Sequence, residues 1–347
     1  MKKFAVFVVL LGSIFLGRDE NNPFNLAPNS VLACDYCLLT QGLSPLETTH
    51  GFGFRVDGRY TVLNTMFSGT GQVENHDNEK ESHFTTQLTG FYNLSERFTL
   101  IGVLPVSRRK ISLDVEEGHG HADGEEPPGH EEEEGGHSDA LVHSHSAPGA
   151  VFSVGDLNLL GRYTFLRKHK FRQSTLLALQ AGVKIPTGST RELDDAGEFL
   201  DAHIQPGTGS WNFLLGLSFN FVKNRFGLSS NVLYSLNSTG EAGDDDYRFG
   251  NSLNADITAK YPIISGKRNL FLALGLSGEV RGREEIDGQT IANTGGEVFY
   301  LAPGVQMMLS RRLIVEASFL YPFYHNLNGE EQLGEDSRTS FGVNYLF

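Results

Sequence analysis

From Gly51 to its last residue the chain repeats one pattern: ten or more residues that alternate apolar and polar, followed in turn by a short connection or a long polar loop. In Phe226-Gly227-Leu228-Ser229-Ser230-Asn231-Val232-Leu233-Tyr234, and again in Leu253-Asn254-Ala255-Asp256-Ile257-Thr258-Ala259-Lys260-Tyr261, one face is mainly apolar while the other carries Ser, Asn, Asp, Thr and Lys. A period of two sustained over this length means a strand with one apolar face. The pattern predicts strands at 52–64, 83–94, 98–112, 154–167, 173–186, 210–222, 225–238, 248–262, 269–282, 297–309, 313–326 and 336–347. Each is about twice the five or six residues usual in a globular sheet, which argues against a soluble sandwich or solenoid.

The apolar faces need a cover, and no amphipathic helical stretch is left to supply one. Lipid is the natural cover, and in hydrocarbon every backbone donor and acceptor must be paired, so the sheet has to close on itself. Beyond the N-terminus no apolar run approaches the roughly 18 to 20 residues of a membrane-spanning helix. Forty glycines, 25 phenylalanines and 11 tyrosines beside 4 methionines and 1 tryptophan suit turns, strands and interfacial rings. The expected fold is therefore all-β: a transmembrane antiparallel β-barrel of about 12 strands. Short connections fall at 95–97, 168–172, 223–224, 265–268 and 310–312; long ones fall at 65–82, 113–153, 187–209, 239–247, 283–296 and 327–335. That alternation assigns the short turns to the periplasm and the long loops to the cell exterior, in the outer membrane of a Gram-negative-type bacterium. In the last strand Phe341, Val343, Tyr345 and Phe347 share one face. A terminal phenylalanine there resembles the signal read by the machinery that inserts bacterial outer-membrane proteins, which is an expected partner together with outer-membrane lipid.

Ahead of the barrel, Lys2-Lys3 and the apolar stretch from Phe4 to Leu16 form the charged and greasy regions of an export signal over residues 1–17. Its cleavage point is open, as late as residue 33 if Val31-Leu32-Ala33 is the site. Residues 18–50 then form a periplasmic N-terminal segment carrying Cys34-Asp35-Tyr36-Cys37. A Cys34–Cys37 disulfide is the default in that compartment. Leu38 stands where a haem attachment site would need histidine, and Arg18, Asp19 and Glu20 interrupt the approach to a lipoprotein-like box at Cys34. Metal relay by the two thiols is the alternative. A formal net charge of -14 excludes nucleic acid as a partner.

If Phe52, Phe54, Val56 and Tyr60 face lipid, then Arg55, Asp57 and Arg59 face the lumen. The same alternation puts Arg162, Lys184, Asp256, Lys260, Glu279, Arg281 and Glu316 inside, with Asn158, Gln180, Asn212, Asn220, Asn231 and Asn254. One reading is a passage for small solutes, as in a porin, shaped by those charges. The other is a structural barrel whose opposite charges pair across the lumen and block it. A ring of this many strands is wider than the eight-stranded case that side chains just fill, which favours passage.

Three stretches carry a family resemblance: Gly155-Asp156-Leu157-Asn158 leading into Gly161-Arg162-Tyr163; Gly182-Val183-Lys184-Ile185-Pro186-Thr187-Gly188; and Gln205-Pro206-Gly207-Thr208-Gly209-Ser210-Trp211. Together with Tyr247-Arg248-Phe249-Gly250 they resemble an outer-membrane channel family labelled for the meta pathway of phenol degradation and often described as transporters. The resemblance implies a barrel and passage of small molecules; it assigns no substrate-binding residue. Physically, Pro186 and Gly188 end a strand at its rim, and Pro206-Gly207-Thr208-Gly209 turn the chain back.

The loop over 113–153 holds His119, His121, His130, His137, His143 and His145 among a dense set of carboxylates, without one Lys or Arg. Its like charge and scarcity of large apolar residues mark it as disordered and solvated, outside the cell. Imidazole and carboxylate suit Zn, Cu(II) and Ni ions, bound loosely and exchangeably, and His119-Gly120-His121 and His143-Ser144-His145 let two rings reach one ion. Capture of metal at the channel mouth stands against a solvated acidic loop that binds metal incidentally. No motif requires a cofactor. The rival class is a barrel enzyme that hydrolyses lipid; His325-Asn326-Leu327-Asn328-Gly329 is similar to the histidine motif of such enzymes, but its serine is absent and its spacing differs by one. No catalytic residue, and no enzyme activity, is expected.

Overall fold

The computed structural model describes residues 51–347 apart from 77, 114–148, 194–196, 198, 201, 267 and 311. The export signal, the Cys34–Cys37 pair and the six loop histidines lie outside the described residues.

All regular structure among the described residues is β. In chain order the strands are β1 (Gly51–Gly69), β2 (Gly71–Val73), β3 (Glu79–Asn93), β4 (Phe98–Leu113), β5 (Gly149–Val154), β6 (Leu157–Lys170), β7 (Gln173–Ile185), β8 (Asn212–Lys223) and β9 (Phe226–Asn237). They continue with β10 (Gly240–Ala242), β11 (Asp245–Arg248), β12 (Ser252–Ile264), β13 (Asn269–Arg281), β14 (Glu285–Ile286), β15 (Gln289–Thr290), β16 (Gly296–Met308) and β17 (Leu313–Leu346). The order β17-β16-β13-β12-β9-β8-β7-β6-β4-β3-β1 is closed by pairing of β17 with β1, so eleven continuous strands form the ring.

The last of them is double. On β16, Met308 pairs with Ile314 and Gly296 with Leu327; on β1, Met66 pairs with Leu333 and Gly53 with Leu346. Leu346 N donates to Arg312 O at 2.9 Å, and His325 Nε2 lies 3.0 Å from Glu335 O. Both ends of the 34-residue element thus sit at one rim and its middle at the other. It folds back as two legs, 313–327 and 332–346, and the wall presents twelve spans. The alternation predicts two strands separated by a loop at 327–335. Instead the ladder runs through that segment, with Gly329 in the left-handed region at φ 87°.

Three further expectations shift. The strand predicted at 154–167 is broken into β5 and β6, and β5 takes in residues 149–153 that were expected to be loop. The break lies opposite Pro105, which has no N–H for the ladder; Gly155 N donates to Pro105 O at 2.9 Å. The loops at 239–247 and 283–296 are not featureless, because β10, β11, β14 and β15 form a four-stranded sheet above the rim.

Burial along the wall reads inverted relative to a soluble protein. On β3 the positions Glu79, Glu81, His83, Thr85, Gln87 and Thr89 are buried, while Phe84, Leu88 and Tyr92 are 39%, 43% and 53% exposed. The apolar face therefore points outward, where only lipid can cover it. At the seam the Phe347 ring stacks on Phe52 with centroids 4.3 Å apart, and Phe347 N donates to Phe52 O at 3.0 Å. Inside, Arg55 on β1 reaches over Gly342 to Glu316 on the first leg. A Cβ at Gly342 would lie 2.7 Å from Asp57 Oδ1 and 3.1 Å from Glu316 Cγ, so this bridge needs glycine beneath it.

Candidate functional site: the barrel interior and its outer rim

The sequence-predicted interior residues Arg55, Asp57, Arg59, Arg162, Lys184, Asp256 and Glu279 are all below one-tenth exposed on the inward face. Lys260, Arg281 and Glu316 stand on the same face of their strands. They do not converge on one point. The structure sorts them into separate clusters at different heights, joined by residues that the alternation alone did not single out.

Near the short-turn rim, Arg55 Nε lies 2.8 Å from Asp57 Oδ1, its guanidinium also contacts Glu316, and Gln306 Nε2 reaches Glu316 Oε2 at 3.3 Å. Midway up, Arg338 is fully enclosed. Its Nη1 donates to Glu279 at 2.6 Å, its Nε to Glu335 at 3.0 Å and its Nη2 to the Tyr300 hydroxyl at 3.0 Å. Glu279 sits on β13 and Arg338 on the second leg, with β16 and the first leg between them. This ion pair is a chord across part of the lumen rather than a contact along the wall. Losing one member would leave the others buried and uncompensated, which costs about 3–5 kcal/mol. On the β9–β12 wall, Asn231 Nδ2 donates to Asp256 at 3.2 Å.

Apolar groups share the interior. Phe91, Ile101, Val103 and Leu160 on β3, β4 and β6 meet Leu214 and Leu233 on β8 and β9, with Leu346 packed against them. A second cluster of Val298, Tyr300, Ala302, Leu320 and Leu327 with Phe67 lies beside the Arg338 chord. Charged groups and apolar clusters thus both project into the interior. Gln87 Oε1, Asn158 Oδ1, Ser218 Oγ, Ser340 Oγ and Asn344 Oδ1 are buried there without a protein partner.

The three motif stretches meet at the long-loop rim. The Asp156 carboxylate accepts from Gly188 N at 3.0 Å, from Thr208 N at 3.0 Å and from the Thr208 hydroxyl at 2.8 Å, with Lys184 Nζ at 3.3 Å. Lys184 Nζ also donates to Thr208 Oγ1 at 2.7 Å. The backbones touch: a Cβ on Gly207 would lie 2.4 Å from Gly188 O, and one on Gly188 would lie 2.7 Å from Gly207 Cα. Glycine, aspartate and threonine at these positions are thus one knot that ties the ends of β6, β7 and β8.

Above the knot the fourth motif joins a cap. The Tyr247 hydroxyl contacts Glu284 and lies 3.0 Å from His203 Nε2, which is 2.9 Å from Glu284. These side chains come from three loops. Glu284 is fully buried, and burial alone would raise its pKa. The charge and hydrogen bond of His203, followed by Arg281 and Tyr247, more than reverse this and hold the carboxyl below its usual range. Arg248 pairs with Glu285, and Phe249 meets the His203 ring edge-on at 5.8 Å.

Arg338, Glu335, His203 and Glu284 escaped sequence reasoning. Counting alternate residues back from Leu346, on the face opposite Phe347, does reach Arg338. Glu335 fell within an expected loop, and nothing local marks His203 or Glu284 as partners. Among the described residues no group of three or more His, Cys, Asp or Glu side chains is arranged to hold a metal.

Two outcomes follow from the knot and the cap. Asp156→Ala removes the shared acceptor, and because one charge-assisted bond is worth about 1.5–3 kcal/mol, amide exchange at Gly188 and Thr208 should quicken on the order of tenfold or more. Hydrogen-exchange mass spectrometry of the detergent-solubilised barrel measures this; unchanged rates would refute the knot. The lowered Glu284 carboxyl contributes stability that is complete above about pH 4.5 and is lost as pH falls through its folded value. Protease cleavage in the cap should therefore rise on acidification below that pH, and Glu284→Gln should flatten the pH dependence.

Comparison with known proteins supports this architecture. No curated protein sequence matches the chain. Among solved structures, an outer-membrane channel from Pseudomonas putida F1 superimposes with a TM-score of 0.64 at 15% identity, covering 88% of this chain and 98% of that one. The deltaS2S3 mutant of the monoaromatic hydrocarbon channel TodX gives 0.43 at 9% identity, covering 92% and 96%. The β-domain of the Bordetella autotransporter BrkA gives 0.42 at 10%, covering 86% and 100%. Residues 131–332, more than half of the chain, match the family described as the MetA-pathway of phenol degradation. The chain belongs to that family, and it is an outer-membrane β-barrel.

Proposed function

We propose that this barrel is an outer-membrane channel for small solutes. The observation that carries the reading is the closed barrel's inward wall, which is polar and charged, with Arg55, Asp57, Asn158, Lys184 and Asp256 turned to the interior. Family membership and the fold shared with the Pseudomonas putida F1 channel support the same reading.

The interior limits the solute. The inward ion pairs Arg55–Glu316 and Arg338–Glu279, which join non-adjacent spans, favour compounds of a few heavy atoms over sugars. The apolar cluster of Phe91, Ile101, Val103, Leu160, Leu214 and Leu233 suits a solute with a hydrophobic body beside a polar group. An enzyme reading has no support, since no serine and histidine pair of a lipid hydrolase is formed at His325, whose ring instead contacts the Glu335 carbonyl and stacks on Phe67.

The histidine-rich segment belongs to the same proposal as a means of metal capture at the mouth. Its support is positional: Ile111 pairs with Gly149, so both ends of the segment emerge together at the long-loop rim. Insertion through the C-terminal strand likewise fits a last leg paired to β1 along its length.

Liposomes containing the purified protein should swell with small polar and small aromatic solutes and not with disaccharides. Absence of swelling with every solute would favour the structural barrel. Deleting residues 118–146 should abolish zinc or copper binding by titration while leaving swelling intact; unchanged metal binding would remove the capture proposal alone.

A further inference from the structure

The five short turns share a property that the passage of solutes does not use. The turn between β6 and β7 exposes Lys168, Lys170 and Arg172, and the turn between β8 and β9 exposes Lys223 and Arg225. Each of the other three exposes one arginine: Arg97, Arg268 and Arg312. Among the described residues of these turns the only carboxylate is Glu96. The opposite rim is mainly acidic: Asp244, Asp245, Asp246, Asp287, Glu330 and Glu331 are exposed there beside Lys80, Arg191 and Arg283. In a chain with 42 acidic and 28 basic residues, the short-turn rim is thus the end that is almost wholly cationic.

These cations stand at the strand ends, close to the barrel's lipid-facing aromatics. Phe165 and Tyr163 on β6, Phe226 on β9 and Tyr261 on β12 are all more than two-fifths exposed on the outer wall near those turns. Phe171 at a turn tip is 90% exposed, with the Arg172 guanidinium 5.2 Å from its ring centre. Aromatic rings of this kind mark the membrane–water boundary, and basic side chains just beyond them lie at the level of lipid headgroups. Inside the same end, Arg55 is neutralised by Asp57 and Glu316, so the positive field belongs to the outer circumference and not to the pore.

We infer that the short-turn rim is a binding surface for anionic phospholipid headgroups of the leaflet on the periplasmic side, holding a ring of such lipids around the barrel. The proposal rests on the membrane-embedded fold and is independent of the solute reading. Electrostatic attraction of juxtamembrane cations to an anionic leaflet supplies the affinity, and it falls off within a Debye length. The opposed acidic rim fixes which leaflet is selected.

Electron spin resonance of the full chain reconstituted with spin-labelled phosphatidylglycerol or phosphatidylcholine tests this. The unmodified protein should favour phosphatidylglycerol by at least about threefold. Two variants at separate turns, Lys168→Gln/Lys170→Gln/Arg172→Asn and Lys223→Gln/Arg225→Gln, should each lower the ratio, and their combination should bring it close to one. Asparagine is chosen at 172 because φ there is 56°, a conformation it tolerates. Should the combined variant fail to fold, the unmodified protein in about 1 M salt, where the Debye length is about 3 Å, gives the same reading by losing its preference. Glu330→Gln/Glu331→Gln on the other rim should leave the ratio unchanged. A ratio near one in the unmodified protein, or a preference that survives both salt and substitution, overturns the proposal. So does a change of ion selectivity in the current with lipid preference untouched, which would assign the cations to the pore mouth.

Discussion

Backbone hydrogen bonding in hydrocarbon is the constraint on which everything else here depends. No water reaches the membrane interior to satisfy an open sheet edge, so the first and last strands must find each other. They do so through a ladder from Gly53–Leu346 up to Met66–Leu333, and the chain closes its own ring with a hairpin that is continuous β from Leu313 to Leu346. The side chains along the seam follow from that closure. Phe347 stacks on Phe52 from the lipid side, and Arg55 reaches Glu316 over Gly342 from the lumen side. Charges that would be a liability in a soluble core become ties between spans, because lipid has claimed the apolar face.

That inversion also shapes function. A wall with polar residues turned inward can be bored open or filled, and this one carries ion pairs between non-adjacent spans and apolar clusters on its inward face. The outer end is organised separately, with the Asp156 knot fixing three strand ends and the buried Glu284 joining three loops above it. On the proposed channel reading, the interior and the cap are different elements that can vary independently.

Much of the wall was legible from period two alone. Arg55, Asp57 and Arg59 follow directly from the exposed Phe54, Val56 and Tyr60, and the strand bounds agree to within a few residues. The break between β5 and β6 was less so, although Pro105 was in view, because a proline disturbs the neighbouring strand and not only its own. Gly188 and Thr208 were visible as punctuation and Asp156 as part of a family motif; that one carboxylate joins positions 52 apart is a fact of three dimensions. His203, Tyr247 and Glu284 come from three loops whose sequences carry no shared period, and loops have no register to count. The basic turns needed only the knowledge that all five lie on one rim.

Closure with the stated register is the claim that supports the rest, and cysteine cross-linking across the seam tests it most directly. Val56 on β1 and Val343 on the last leg are paired and both face outward. In a chain with Cys34→Ser and Cys37→Ser, the substitutions Val56→Cys and Val343→Cys should form a disulfide under mild oxidation in the membrane. The pair Val56→Cys and Phe341→Cys, offset by two positions along the ladder, should not. Efficient cross-linking of the offset pair, or failure of the aligned pair in a folded barrel, would contradict the register with which the first and last strands close the ring.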